Sequence, residues 1–86
     1  MKPILLSKHA EEKFETFQQR GFEIAPETVI ETLRSPDKIE SDEDQKIAQK
    51  RISDTKVLRV VYVESDSEIF VITFYPGERK RYEDQI

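Results

Sequence analysis

Residues 57–75 read VLRVVYVESDSEIFVITFY, and this stretch decides the fold. Two runs rich in β-branched and aromatic residues, Val57–Glu64 and Glu68–Tyr75, flank the polar triplet Ser65-Asp66-Ser67. Such runs around a short turn-forming segment specify a β-hairpin. Pairing outward from a turn at Ser65–Ser67 sets Glu64 opposite Glu68, Tyr62 opposite Phe70, Val60 opposite Ile72 and Leu58 opposite Phe74. The last three pairs are apolar and share one face, as a core requires. The opposite face then brings Val61 to Val71, Arg59 to Thr73 and Val57 to Tyr75.

Upstream of the hairpin the pattern weakens. Lys46–Ser53 is a further strand candidate, but Ile47 and Ile52 have opposite parity, which points to a bulge or an edge strand. If Ile52 faces Leu58 across the loop Asp54-Thr55-Lys56, Arg51 stands beside Arg59. Lys38–Glu40 suits a short strand and Asp42–Gln45 a turn.

The first third has helical periodicity instead. Ser7 is a good N-cap for a helix from Lys8 to about Arg20, with Ala10, Phe14 and Phe17 on one face. Gly21 is placed to take the left-handed conformation that ends it. Phe22 and Ile24 form a hydrophobic link to a second helix, Pro26–Arg34, with Val29, Ile30 and Leu33 inward. Ser35-Pro36 stops that helix. Met1–Leu6 is a short apolar lead, suited to an edge strand or to covering the core. The expectation is an α+β fold: two N-terminal helices packed on one face of a three- or four-stranded antiparallel sheet. Residues 1–86 are read as one domain, since a chain this short has material for one helix layer on one sheet.

Composition narrows the function classes. The chain has no cysteine, which excludes disulfides and thiolate zinc sites and fits a reducing cytoplasm. Pro3-Ile4-Leu5-Leu6 is far too short to cross a membrane, and no signal-peptide pattern is expected. The net charge of −4 weighs against a general nucleic-acid coat. The charge is uneven, however: residues 1–45 carry 6 basic and 11 acidic side chains, residues 46–86 carry 8 and 7. The acidic run Glu40-Ser41-Asp42-Glu43-Asp44 lacks the glycine and terminal glutamate of a calcium loop and reads as a solvated turn. No metal and no cofactor is expected.

Several short motifs occur in a fixed order. Ser7-Lys8-His9-Ala10, Gln19-Arg20-Gly21 and Leu33-Arg34-Ser35-Pro36-Asp37 come first. Leu58-Arg59-Val60-Val61 and Val71-Ile72-Thr73-Phe74-Tyr75-Pro76 follow. Together they resemble a widespread prokaryotic family of small proteins known as a domain of unknown function. That family looks related to the BrnT toxins and, more distantly, to the RelE/ParE toxin superfamily. The ending Arg79-Lys80-Arg81-Tyr82-Glu83 is similar to the basic-Tyr-Glu close of BrnT-type chains. The resemblance implies the toxin of a type II toxin–antitoxin pair and a companion antitoxin encoded nearby. Many members of the superfamily cleave messenger RNA; others poison gyrase or have no known target.

Metal-independent RNA cleavage needs a base for the 2′-hydroxyl, cations for the charge building on phosphorus, and an acid for the leaving oxygen. Arg51 and Arg59 are the candidate cations, because guanidinium binds two phosphate oxygens and stays charged. His9 is the candidate base, at a helix start that favours the neutral ring. Tyr75 is a candidate proton donor. Arg79, Lys80 and Arg81 are candidate phosphate contacts and Tyr82 a base-stacking residue, on RNA or on the ribosome. Each also has a structural reading. Arg59 on an open sheet face suits an ion pair with a nearby carboxylate, His9 a helix-start residue, the tyrosines packing, and the cationic run a solubilising tail. Two further functions therefore stand beside endoribonuclease: a non-catalytic module that docks a protein partner, and a folded but inactive member of the family.

Overall fold

The computed structural model describes residues 2–83. In chain order the elements are β1 (Ile4–Leu6), α1 (Lys8–Gln19), α2 (Pro26–Arg34), β2 (Lys38–Asp42), β3 (Gln45–Arg51), β4 (Lys56–Glu64), β5 (Ile69–Glu78) and α3 (Arg79–Glu83). The fold is α+β with a five-stranded sheet in the order β1-β5-β4-β3-β2. Strands β2 to β5 form an antiparallel meander, and β1 lies parallel to β5, with Ile4 beside Ile69 and Leu6 beside Val71. The sheet is therefore mixed and one strand wider than the widest expected form. The apolar lead supplies that strand, and the helices and meander between β1 and β5 provide the long crossover that parallel pairing requires.

The helices follow their sequence signals. Ser7 Oγ accepts from the Ala10 amide at 3.0 Å and donates to the Ile72 carbonyl at 2.6 Å, so one hydroxyl caps α1 and ties it to β5. Gly21 takes φ +86° just past the end of α1. Pro26 opens α2 without a side-chain cap. Both helices lie on one face of the sheet. There Ala10, Phe17 and Val29 meet Ala48, Leu58, Val60, Tyr62, Ile69, Val71 and Phe74 in the core. Phe14 stacks on Phe74 with ring centroids 4.7 Å apart, and Phe17 lies 5.9 Å from the same ring.

The hairpin departs from its expected register twice. The turn takes four residues, Ser65 to Glu68, so Glu64 faces Ile69, Val63 faces Phe70 and Tyr62 faces Val71. A bulge then intervenes beside Val61 and Tyr62, and beyond it Val61 faces Thr73, Val60 faces Phe74 and Arg59 faces Tyr75. The two one-residue shifts add up to two, which restores parity. Phe74 points inward and Tyr75 outward as expected, while Phe70 and Val71 exchange faces. Strand β3 is regular and internal, flanked by β2 and β4, and is neither bulged nor an edge. Gln49, not Arg51, pairs with Arg59; Arg51 faces Val57.

The third helix, α3, has no counterpart in the expected two-helix arrangement. It follows β5 directly and lies over the sheet face that α1 and α2 leave open. Among the described residues, no helix is long and apolar enough to cross a membrane.

Candidate functional site

Register places Lys38, Glu40, Gln49, Arg51, Arg59 and Tyr75 on the sheet face opposite the core. Arg59 is the centre of this group and is only 5% exposed. Its Nε donates to the Tyr75 hydroxyl at 3.0 Å, Nη2 to Glu40 Oε2 at 2.7 Å, and Nη1 to Gln49 Oε1. The Tyr82 ring stacks on the guanidinium with its centroid 4.3 Å from Cζ. Burial alone lowers an arginine pKa. Here the bonds to Glu40 and Tyr75 outweigh it, and the guanidinium is held above its ordinary range. Glu40 is pulled below the usual carboxylate value, chiefly by its hydrogen bond from Arg59.

Tyr82 reaches this position because α3 folds back on β5. Lys38 Nζ donates to the Tyr82 carbonyl at 3.0 Å. Glu83 accepts from Arg51 Nη2 at 3.1 Å and Arg79 Nε at 2.8 Å, and both contacts depress its pKa. Gly77 is required under the ring: a Cβ there would overlap Tyr82 Cε2 and Cδ2. The basic tail is thus a short strap laid across Arg59 rather than a free cationic end.

The predicted site residues divide accordingly. Tyr75 and Tyr82 both contact Arg59. Arg51 shares their face but spends its charge on Glu83, which raises its pKa. Arg79 is bound to Glu83 and to the Asp54 carbonyl. Lys80 and Arg81 are exposed, and Arg81 Cζ lies 5.6 Å from the Tyr82 ring. His9 is exposed in the first turn of α1, and among the described residues its side chain makes no hydrogen bond to any of these groups. The structure therefore does not bring His9 to the arginine cluster.

Three participants escaped the sequence reading. Glu40 and Gln49 hold Arg59, and Lys13 borders Tyr75 beside Thr73, which the sequence already places on this face. Strand parity would have found Gln49 once β3 was taken as regular. Lys13 gave no signal, because it lies on the polar flank of α1. It passes the end of β1, where β5 has no strand neighbour, and its Nζ donates to Thr73 Oγ1 at 3.0 Å. There it lies 5.1 Å from the Phe17 ring and 5.9 Å from each of Phe74 and Tyr75. Burial lowers its pKa.

A second feature of this face is apolar. Leu5 and Phe70 are neighbours across β1 and β5, with Val63 opposite Phe70 on β4. Leu5 is 47% and Phe70 39% exposed, beside the half-buried Val63. Among the described residues, no three His, Cys, Asp or Glu side chains are grouped as metal ligands would be.

Fold and site together define a small α+β protein with helices on one sheet face and an arginine–tyrosine cluster on the other. Its sequence places it more narrowly: residues 6–76 match the model of the family described as domain of unknown function (DUF4258), and the chain belongs to that family. The match ends at Pro76, just before the Gly77 contact and α3. No curated protein and no solved structure matches the chain.

Proposed function

We propose that this chain is the toxin-like member of a toxin–antitoxin pair and that it works by docking its protein partner on the uncovered half of the sheet. The kinship to BrnT and RelE/ParE toxins rests on the ordered motifs from Ser7 to Glu83, and the lack of cysteine favours the cytoplasm as its place of action. The observation that carries the docking reading is the exposed Leu5–Phe70 pair, held out to solvent on a rigid sheet. Adjacent apolar groups on an otherwise polar protein mark an interaction surface. Farther along the same face Arg59 is committed to Glu40 and Gln49 and roofed by Tyr82, so its guanidinium has no free fork for a phosphodiester. Docking through this face needs neither His9 nor Arg51.

A second reading, metal-independent endoribonuclease, is favoured by one observation. Tyr75 accepts a hydrogen bond from Arg59, its own O–H meets no acceptor among the described residues, and the partly desolvated Lys13 lies beside its ring. An acid and a tunable amine are there, although the expected base is not.

One experiment separates the readings. Purified protein is incubated with total RNA and ribosomes in EDTA, and in parallel with the product of a small reading frame found next to its own. Docking predicts intact RNA and a complex that Phe70→Asp abolishes. New 5′-hydroxyl ends that vanish in Tyr75→Phe would replace docking with cleavage.

A further inference from the structure

The cluster at the open edge of β5 has an imbalance of hydrogen-bonding groups. Lys13 Nζ uses one of its three protons on Thr73 Oγ1. Thr73 accepts that bond, and its own O–H meets no acceptor among the described residues. Tyr75 accepts from Arg59 and likewise has a free O–H. Donors therefore gather here without a matching acceptor. The charge is also unbalanced. Among the described residues Lys13 has no carboxylate within ion-pair distance, whereas the other cations that lack one are exposed or, like Lys50, donate to a backbone carbonyl. A half-buried ammonium without a counter-ion is costly unless an anion supplies the missing charge.

We propose that Lys13, Thr73 and Tyr75 form a binding site for a phosphate oxyanion. The ammonium supplies charge and up to two hydrogen bonds, and the two hydroxyls donate to further phosphate oxygens. Arg59 reinforces the Tyr75 donor, because a hydroxyl that accepts from a guanidinium donates more strongly. The Lys13 Nζ is positioned over the Phe17 and Phe74 rings and bonded to Thr73, so the ammonium is already in place. Burial lowers the Lys13 pKa, and a bound anion should raise it. The site lies on the opposite side of Tyr75 from the α3 strap, and it does not depend on docking at Phe70.

The oxyanion could belong to free phosphate or to a diester of single-stranded RNA, and two titrations of the full-length chain distinguish them. Inorganic phosphate and a short single-stranded oligoribonucleotide are each added while backbone and side-chain resonances of residues 13, 73 and 75 are followed by NMR. Saturable shifts are expected at these three residues with at least one of the probes. If the RNA binds and phosphate competes it away, the ligand is a diester; if phosphate alone binds, it is the free ion. Lys13→Met, which keeps an unbranched side chain and removes the charge, should weaken binding about tenfold, and Lys13→Arg should restore it. Tyr75→Phe should weaken it about threefold. Phe70→Ser should leave it unchanged. Absence of saturable shifts with both probes, or full affinity in Lys13→Met, overturns the proposal.

Discussion

Arg59 shows how one side chain can organise a face without being available to a ligand. Its three donor groups end on three acceptors from three strands, and the Tyr82 ring covers the plane. Removing it leaves the Gln49 carbonyl, on a residue only 2% exposed, without its partner. An orphaned buried acceptor costs more than the lost bond contributed. Arg59→Met should therefore lower stability by about 2–3 kcal/mol, read as a shift in the urea midpoint at unchanged slope. Glu40→Gln should cost about 1 kcal/mol or less, because that carboxylate is 44% exposed and water can replace its contacts. Equal losses in the two variants would mean that the ion pair, not the buried amide, holds the cluster. This asymmetry bears on function: loss of a biological effect in an Arg59 variant reports folding as much as chemistry, so Lys13 and Tyr75 are the better probes.

At the scale of elements, the helices were legible and the register was not. Ser7, Gly21, Pro26 and Ser35-Pro36 are local signals, and α1 and α2 begin and end within two residues of them. The hairpin had no such signal. Ile69-Phe70-Val71-Ile72 is apolar at every position, so polarity could not say which side chains face the core, and a slip there went undetected. The pairing of Arg59 with Tyr75 followed from the bulge and was likewise hidden. Helix α3 is five residues long and is held by tertiary contacts rather than by helical propensity, which is why the tail read as free. Those contacts make its docking depend on acid. Glu83 has its pKa lowered in the fold by Arg51 and Arg79, so its contribution is fully present above the ordinary value of 4.5 and is lost as pH falls below it through the folded value. Carbon-13 shifts of residues 79–83 should lose helical character over that range, whereas β4 shifts stay constant. Gly77→Ala should produce the same loss at neutral pH by displacing the Tyr82 ring. If α3 stays helical and Tyr82 stays against Arg59 in Gly77→Ala, the strap is not held through that contact.

Across the whole molecule the two sheet faces divide the core from the proposed docking surface. The helix-covered face holds Leu58, Val60, Val71 and Phe74, all fully buried. A domain of 86 residues has a margin of only about 5–8 kcal/mol, and the helices and sheet have no second core to fall back on. Leu58→Ala should remove about 3 kcal/mol of it, the lost burial of three carbons together with the cavity left under the helices. Phe70 lies on the same strand pair but faces outward, so Phe70→Ser should change stability by no more than about 0.5 kcal/mol. The two substitutions therefore make opposite claims about partner binding. Phe70→Ser should lose the complex with an unchanged melting curve. Leu58→Ala should keep it, because the partner binds only the folded form and restores part of the lost stability by mass action. Titrating the partner into each variant during thermal unfolding reads both effects at once. A rise in midpoint with Leu58→Ala and none with Phe70→Ser is expected. The reverse pattern would place the docking surface on the helical side and leave the exposed Leu5–Phe70 pair without a role.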